Sequence, residues 1–124
     1  MKKVLVVEDD EELITLIENL LKICNYESRV AWSGEQALSL VRSSFRPDLI
    51  LLDIGLQGVD GFYVLECLKK DPKTRSIPVL VCSSYTKKEM IQKARALGAA
   101  DYVTKPFEVS DLTQRIKKIL QSAI

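Results

Sequence analysis

Leu49-Ile-Leu-Leu-Asp-Ile-Gly55 is an apolar run broken by a single carboxylate, Asp53. Apolar residues with no polar alternation predict a strand buried on both faces, as in a parallel sheet. Pro47 and Asp48 bound it on one side. Gly55, Gly58 and Gly61 bound it on the other, with Asp60-Gly61 read as a turn. Asp53 is therefore expected where a core strand emerges at the sheet edge, the end at which open α/β sheets bind ligands. A charge is costly beside an apolar layer, so an Asp there needs a reason. Taken alone, it could equally be a loop Asp that begins a turn.

The chain around this stretch has 124 residues, enough for one domain with one core and too few for two. A hydrophobic share of 47% with 28% charged residues is that of an ordinary soluble domain. The net charge of +1 argues against a broad basic surface for nucleic acid. No apolar stretch approaches a membrane span. Met1-Lys-Lys followed by Val4 to Val7 is too short for a signal peptide, so a cytosolic location, the cytoplasm, is expected. Cys24, Cys67 and Cys82 give neither a disulfide framework nor a zinc motif, and each reads as a small buried hydrophobe. The chain has no histidine, which excludes most zinc sites, the triads that use His, and any phosphohistidine on this chain.

Taken in order, Lys3 to Val7 is a β-branched run ending in Glu8-Asp-Asp-Glu-Glu12. Leu13, Leu16, Ile17, Leu20 and Cys24 then recur at helical spacing. Acids suit the positive end of that helix, which accounts for Asp10 to Glu12 better than for Glu8 and Asp9. Asn25 to Trp32 reads as an edge strand, with Trp32 as a packing residue. Ser33-Gly-Glu-Gln36 is a capping box opening a helix with Ala37, Leu38, Val41 and Phe45 inward. After the Asp53 strand, a helix from about Phe62 to Lys70 carries Leu65 and Leu68 and stops at Asp71-Pro72. Ile77 to Cys82 is a buried strand ending in Ser83-Ser84. Thr86-Lys-Lys-Glu89 reads as a second capping box, opening a helix with Met90, Ile91, Ala94 and Leu97 inward, ended by Gly98. Asp101 to Thr104 is a short strand leading to Lys105-Pro106-Phe107, and the last helix carries Val109, Leu112, Ile116 and Ile119. Lys87, Lys88, Lys93 and Arg95 read as a solvated helix face or an output surface.

Strand and helix alternate five times, so the expected fold is a doubly wound parallel five-stranded α/β sheet with helices on both faces. In such a sheet the strand ends share one edge. Glu8, Asp9, Asp53, Ser83 and Lys105 all fall there, and scattered positions become one site. Carboxylates about 5 Å apart at an effective dielectric of about 20 repel by roughly 3 kcal/mol per pair. Three such pairs approach the stability of a whole small domain, about 5–15 kcal/mol. Protonation, a cation or a fixed positive side chain relieves this. Lys105 supplies one charge. Mg²⁺ suits one or two carboxylates with waters and a phosphate, whereas Ca²⁺ wants more oxygen ligands. An Asp nucleophile, Mg²⁺, a lysine and a hydroxyl make a phosphoryl-transfer site.

These residues carry a resemblance. Val6-Val7-Glu8-Asp9-Asp10, Leu52-Asp53 with Asp60-Gly61, Pro78 to Ser83, and Gly98-Ala-Ala-Asp-Tyr102 leading to Lys105-Pro106-Phe107 occur in order across nearly the whole chain. The chain resembles the CheY-like receiver domain of response regulators in two-component signalling. The resemblance implies a flavodoxin-like fold with strand order 2-1-3-4-5 and one receiver domain over residues 1–124. It implies a switch rather than an enzyme, in which Asp53 accepts a phosphoryl group from a phosphohistidine on a sensor histidine kinase or phosphotransfer protein. Asp9, Asp53 and the Gly55 backbone carbonyl are implied to ligate Mg²⁺, with Glu8 acting through water. Lys105 pairs with Asp53 and then with the phosphoryl group. Ser83 bonds a phosphoryl oxygen, Tyr102 turns inward as the switch residue, and the Lys105–Pro106 bond is cis. The face of the fourth helix, fifth strand and fifth helix then changes partners, whether a downstream output protein or a second copy in a phosphorylation-dependent dimer. No direct contact with nucleic acid or membrane is implied for this chain.

Some residues depart from the family's usual pattern. Gln57 stands where proline is common, and a looser loop is expected. Ser84 replaces a small apolar residue. Gly55 and Tyr85 occupy the two positions that tune water access to the phosphoryl group in the family. Rival folds fit less well. A flavodoxin's phosphate loop would be repelled by Glu8-Asp-Asp10, no G-x-G-x-x-G follows the first strand, and the second Asp common in Asp-nucleophile phosphatases is replaced by Gly55. The remaining alternative is a receiver-like interaction module that is not phosphorylated, against which the intact acidic, hydroxyl and lysine set speaks.

Overall fold

The computed structural model describes residues 1–43, 45–56 and 58–121. Five strands, β1 (Lys3–Val7), β2 (Glu27–Ala31), β3 (Leu49–Leu52), β4 (Val79–Ser83) and β5 (Asp101–Thr104), alternate with α1 (Glu11–Ile23), α2 (Gly34–Arg42), α3 (Gly61–Lys70), α4 (Lys88–Ala96) and α5 (Val109–Gln121). All neighbouring strands are parallel, in the order β2-β1-β3-β4-β5. The chain starts in the middle of the sheet, winds outward to β2, crosses back over β1 to β3, and continues to β5.

The pleat sends alternate side chains to opposite faces, and both faces are apolar. Leu5, Val7, Ile50, Leu52, Val79 and Val81 join buried residues of α2, α3 and α4 on one side. Val4, Val6, Leu49, Leu51, Leu80 and Val103 join α1 and α5 on the other. This two-sided burial is why the strands read as continuous apolar runs. Among the described residues no helix is long and apolar enough to cross a membrane.

Several local expectations change. In α1 the buried residues are Ile14, Ile17, Leu20 and Leu21. Leu16 is 43% exposed, Leu13 is only partly buried, and Cys24 caps the helix. The apolar stripe is thus rotated away from the spacing that includes Leu16. In α5 the core face is Leu112, Ile116 and Leu120, with Val109 exposed and Ile119 half-buried. β2 begins at Glu27 because Asn25, at φ 65°, closes α1. The amides of Asn25 and Tyr26 reach back to the carbonyls of Lys22 and Leu21 in a Schellman arrangement. Trp32, just past the edge strand, is only partly covered, with 47% of its surface exposed.

Ser33 caps α2 by accepting from the Gln36 amide at 3.1 Å, but the Gln36 side chain returns to the Trp32 amide, at 2.7 Å, one residue earlier than a standard box. The second box does not form. α4 starts after Lys87 with no side-chain cap, one residue beyond where Thr86 would serve. Only Ala94 of the predicted α4 face is fully buried; Met90, Ile91 and Leu97 are half-buried. Cys82 is buried, and burial pushes its thiol up to about 12, but Cys24 and Cys67 are half-exposed. Lys87, Lys88 and Arg95 are exposed as expected, and the Lys93 ammonium lies 4.3 Å from the Phe62 ring centroid. Gln57 lies outside the described residues.

The rotated α1 face gives a stability test. Ile17→Ala should cost about 2–5 kcal/mol through a core cavity. Leu16→Ala should cost less than about 1 kcal/mol because much of its surface already meets water. Urea unfolding of the two variants measures the difference, and equal losses would contradict this packing.

Candidate functional site

The sheet's hydrogen bonds run one residue past the strands, and this extension places the site. The Glu8 amide donates to the Ala31 carbonyl at 3.0 Å, the Asp53 amide to Val7 at 3.0 Å, and the Lys105 amide to Ser83 at 2.8 Å. Each is the first residue beyond its strand, with its backbone still held in ladder register. Ser83 is the last residue of β4 and is fully buried. The carboxyl edge therefore presents two acids, a hydroxyl and an ammonium from four neighbouring strands.

Asp53 is 8% exposed. Its Oδ1 accepts from the Gly55 amide at 2.9 Å, and its Oδ2 lies 3.3 Å from Lys105 Nζ. The Lys105 ammonium is closer to Glu8, at 2.8 Å from Oε1. The other Glu8 oxygen accepts from the amides of Asp9 and Asp10, both at 3.2 Å. Asp10 itself turns away to cap α1, accepting from the Glu12 amide at 3.0 Å. Glu8, Asp9 and Asp53 each bring a carboxylate oxygen within 4.8 Å of the others. The sequence-predicted acids thus meet, and the lysine serves Glu8 as well as Asp53.

Burial pushes the Glu8 carboxyl above the usual carboxylate range; the Lys105 hydrogen bond opposes this, and the Asp53 charge adds to it. Burial also acts to lower Lys105, but its bond to Glu8 and the charges of Asp53 and Glu8 more than offset it, so its pKa is raised. Burial is the main cause of the Glu8 shift, whereas the facing carboxylates are what raise Lys105. Three carboxylates face one ammonium, and the rim carries excess negative charge. Oxygen donors from Glu8, Asp9 and Asp53 at this spacing fit a hard divalent cation.

The glycine after Asp60 does more than turn the chain. Asp60 caps α3, accepting from the Phe62 amide at 3.0 Å. A Cβ on Gly61 would run into Ile54 Cα and lie 2.8 Å from the Asp53 carbonyl oxygen. Only glycine lets α3 press on the backbone that carries Asp53. The Asp-Gly pair was visible in the sequence, but the close approach behind it was not.

Two further contacts have no sequence signal. Tyr102 is already turned inward, and its hydroxyl donates to the Tyr85 carbonyl at 2.8 Å. Burial pushes its phenol up, with the Ser83 hydroxyl opposing. The Ser83 Oγ accepts from the Tyr85 amide at 3.1 Å. The Lys105–Pro106 bond is cis.

Five parallel strands in the order β2-β1-β3-β4-β5, with helices on both faces, define a flavodoxin-like fold, and the acids and Lys105 gather at its carboxyl edge. Residues 4–117 match the response regulator receiver domain, and the chain belongs to that family. It is a CheY-like receiver domain of two-component signalling. It is similar to the polar-differentiation response regulator DivK of Brucella anthropi, with 37% identity over 122 residues and 98% of each chain covered. It is 33% identical over 121 residues to the DNA-binding dual master transcriptional regulator RpaA of Synechocystis sp.; this covers 98% of the chain but only 50% of RpaA. Among solved structures, the phosphorylated cyanobacterial phytochrome response regulator RcpA superposes with a TM-score of 0.87 at 33% identity, covering 99% of this chain and 96% of RcpA.

The raised Glu8 value fixes the sign of a pH effect. The folded chain holds that proton more tightly than the unfolded chain. The stability it contributes is full below the ordinary Glu value and is lost as pH rises through the raised one. With divalent ions chelated, Glu8→Gln should therefore gain on wild type in urea unfolding as pH rises from about 4 to about 7. A difference that stays constant with pH would contradict a raised Glu8 carboxyl.

Proposed function

We propose that this receiver is a phospho-accepting switch in which Asp53 takes the phosphoryl group. The observation that carries this reading is the placement of Asp53: a nearly buried carboxylate at the sheet edge, 3.3 Å from an ammonium and within 4.8 Å of two further acids. By membership of the receiver family, the donor is a phosphohistidine on a sensor kinase or phosphotransfer protein, and this chain, with no histidine, does not supply it itself. An Asp53 carboxylate oxygen bonds to phosphorus as the phosphorus–nitrogen bond of the donor breaks, and the imidazole departs with the electron pair. Lys105 moves its attention from Glu8 and Asp53 to the phosphoryl oxygens. Ser83 turns its hydroxyl from the Tyr85 amide to donate to one of them. RcpA, similar over its whole length, has been solved phosphorylated.

Asp9, Asp53 and the Gly55 carbonyl would hold Mg²⁺ directly, with Glu8 through water. When bound, the ion neutralises carboxylate charge that otherwise repels an anionic phosphoryl group. Receiver domains are switches, and this one acts in the cytoplasm as one unit over residues 1–124, at most catalysing its own phosphorylation and dephosphorylation. The new contacts favour one of two states, and the exposed face of α4, β5 and α5 presents the result to an output partner or a second copy.

Incubation with acetyl phosphate and Mg²⁺ tests the reading. Intact-mass measurement should show one added phosphoryl group, absent in Asp53→Asn. Lys105→Met should slow labelling about a hundredfold, the scale of losing one charge-stabilising donor. A mass gain that persists in Asp53→Asn would overturn the assignment.

A further inference from the structure

The first turn of α2 bears on the loop between β3 and α3. That loop leaves the sheet at Asp53 and is pinched at its foot, where the Gly61 amide donates to the Ile54 carbonyl at 3.2 Å. Its outer end rests on a different helix. A Cβ on Gly34, the first residue of α2, would lie 2.6 Å from Val64 Cγ2 and 3.4 Å from Val59 Cβ and Cγ1. Gly34 and Val64 are both buried, and a valine side chain has few rotamers with which to yield. One residue further along α2, the two Glu35 carboxylate oxygens stand 3.6 and 3.7 Å from where a Cβ on Gly58 would be. Gly58 sits at φ 85°, a conformation glycine adopts freely. Neither Gly34 nor Glu35 is among the acids or the ammonium gathered at the rim.

We propose that the first turn of α2 braces the divalent-ion site from outside: Gly34 is a positioning residue that acts through Val59 and Val64 on the loop carrying the Gly55 carbonyl and on the helix that presses on Asp53. This rests on the reading of the rim as a Mg²⁺ site. A small hard cation demands near-ideal placement of its oxygen ligands, and the groups behind those ligands hold them there. Glu8 and Asp53 have ladder bonds at their own amides behind them. Gly55 stands two residues beyond the Asp53 amide, so its carbonyl depends on how the loop is seated. A close-packed interior passes a displacement on rather than absorbing it. A methyl group at position 34 must move Val64, and α3 in turn meets the Asp53 and Ile54 backbone at Gly61 with no side chain between. Two packed contacts therefore lead from a residue outside the rim to the ligands within it.

The experiment measures Mg²⁺ affinity of the full chain by titration calorimetry, and stability by urea unfolding with divalent ions chelated. Gly34→Ala should raise the Mg²⁺ dissociation constant about fivefold, below the roughly 10–100-fold typical of losing a direct partner of a ligand. Alanine brings the helix propensity that glycine lacks, which offsets part of the crowding and keeps this variant folded. Ile17→Ala opens a cavity on the opposite face of the sheet; it should lower stability and leave the dissociation constant within about twofold of wild type. Adding Val64→Ala to Gly34→Ala removes the obstructing methyl groups. The double variant should return to within about twofold of wild-type affinity, although it has lost buried apolar volume and unfolds at lower urea than wild type. Affinity and stability then move apart, as they would not for a residue with a merely structural role. Unchanged affinity in Gly34→Ala, an equal loss in Ile17→Ala, or no recovery in the double variant would each overturn the brace. Wild type that binds no Mg²⁺ would instead remove the metal-site reading and the brace with it.

Discussion

Like charges crowded at the end of a buried sheet are the constraint to which the rest of this domain answers. Glu8, Asp9 and Asp53 bring oxygens within 4.8 Å of one another, and a single ammonium, Lys105, stands against them. The sheet can hold such a cluster because its layers are apolar on both faces and its ladder bonds extend to the acids' own amides. Backbone register, not side-chain attraction, keeps the carboxylates together. Gly61 adds to this by letting α3 bear directly on the backbone at Asp53 and Ile54. The unfavourable charge is thus fixed in place, and a domain of ordinary marginal stability tolerates it.

Under the proposed phosphorylation, the same arrangement offers a route from the rim toward α4 and β5. Ser83, Tyr85 and Tyr102 form a short chain of hydrogen bonds from the rim to the face of α4 and β5. With Asp53 phosphorylated as proposed, the Ser83 hydroxyl gains an alternative partner in the phosphoryl oxygens. Switching then needs only that the two arrangements differ by a few kcal/mol and that the phosphoryl group makes contacts in one of them. α4 is suited to follow, since it has one fully buried residue and an uncapped start.

Much of this was legible in the residues. Two-sided burial of Val4–Val7, Leu49–Leu52 and Val79–Cys82 announced a parallel sheet, and a parallel sheet gathers strand ends at one edge. The strand order came with the family resemblance. What the sequence hid has physical causes. Leu16 and Ile17 are adjacent and equally apolar, and only packing against the sheet decides which faces inward. The second capping box failed because an intrinsic preference at Thr86 is worth less than the tertiary position of the loop. Lys105 reaches Glu8 across 97 residues of sequence, and Tyr102 reaches a backbone carbonyl, an acceptor every residue offers. Contacts to backbone leave no mark in side-chain pattern.

The claim that the rim holds more negative charge than the chain itself can neutralise is tested most directly by titrating Mg²⁺ at fixed ionic strength while following thermal unfolding. The account predicts a saturable rise in the wild-type midpoint, about 2.7 kcal/mol of stabilisation at a hundredfold excess over the dissociation constant, and loss of most of that rise in Asp9→Asn. The same rise in both proteins, or none in wild type, would contradict it.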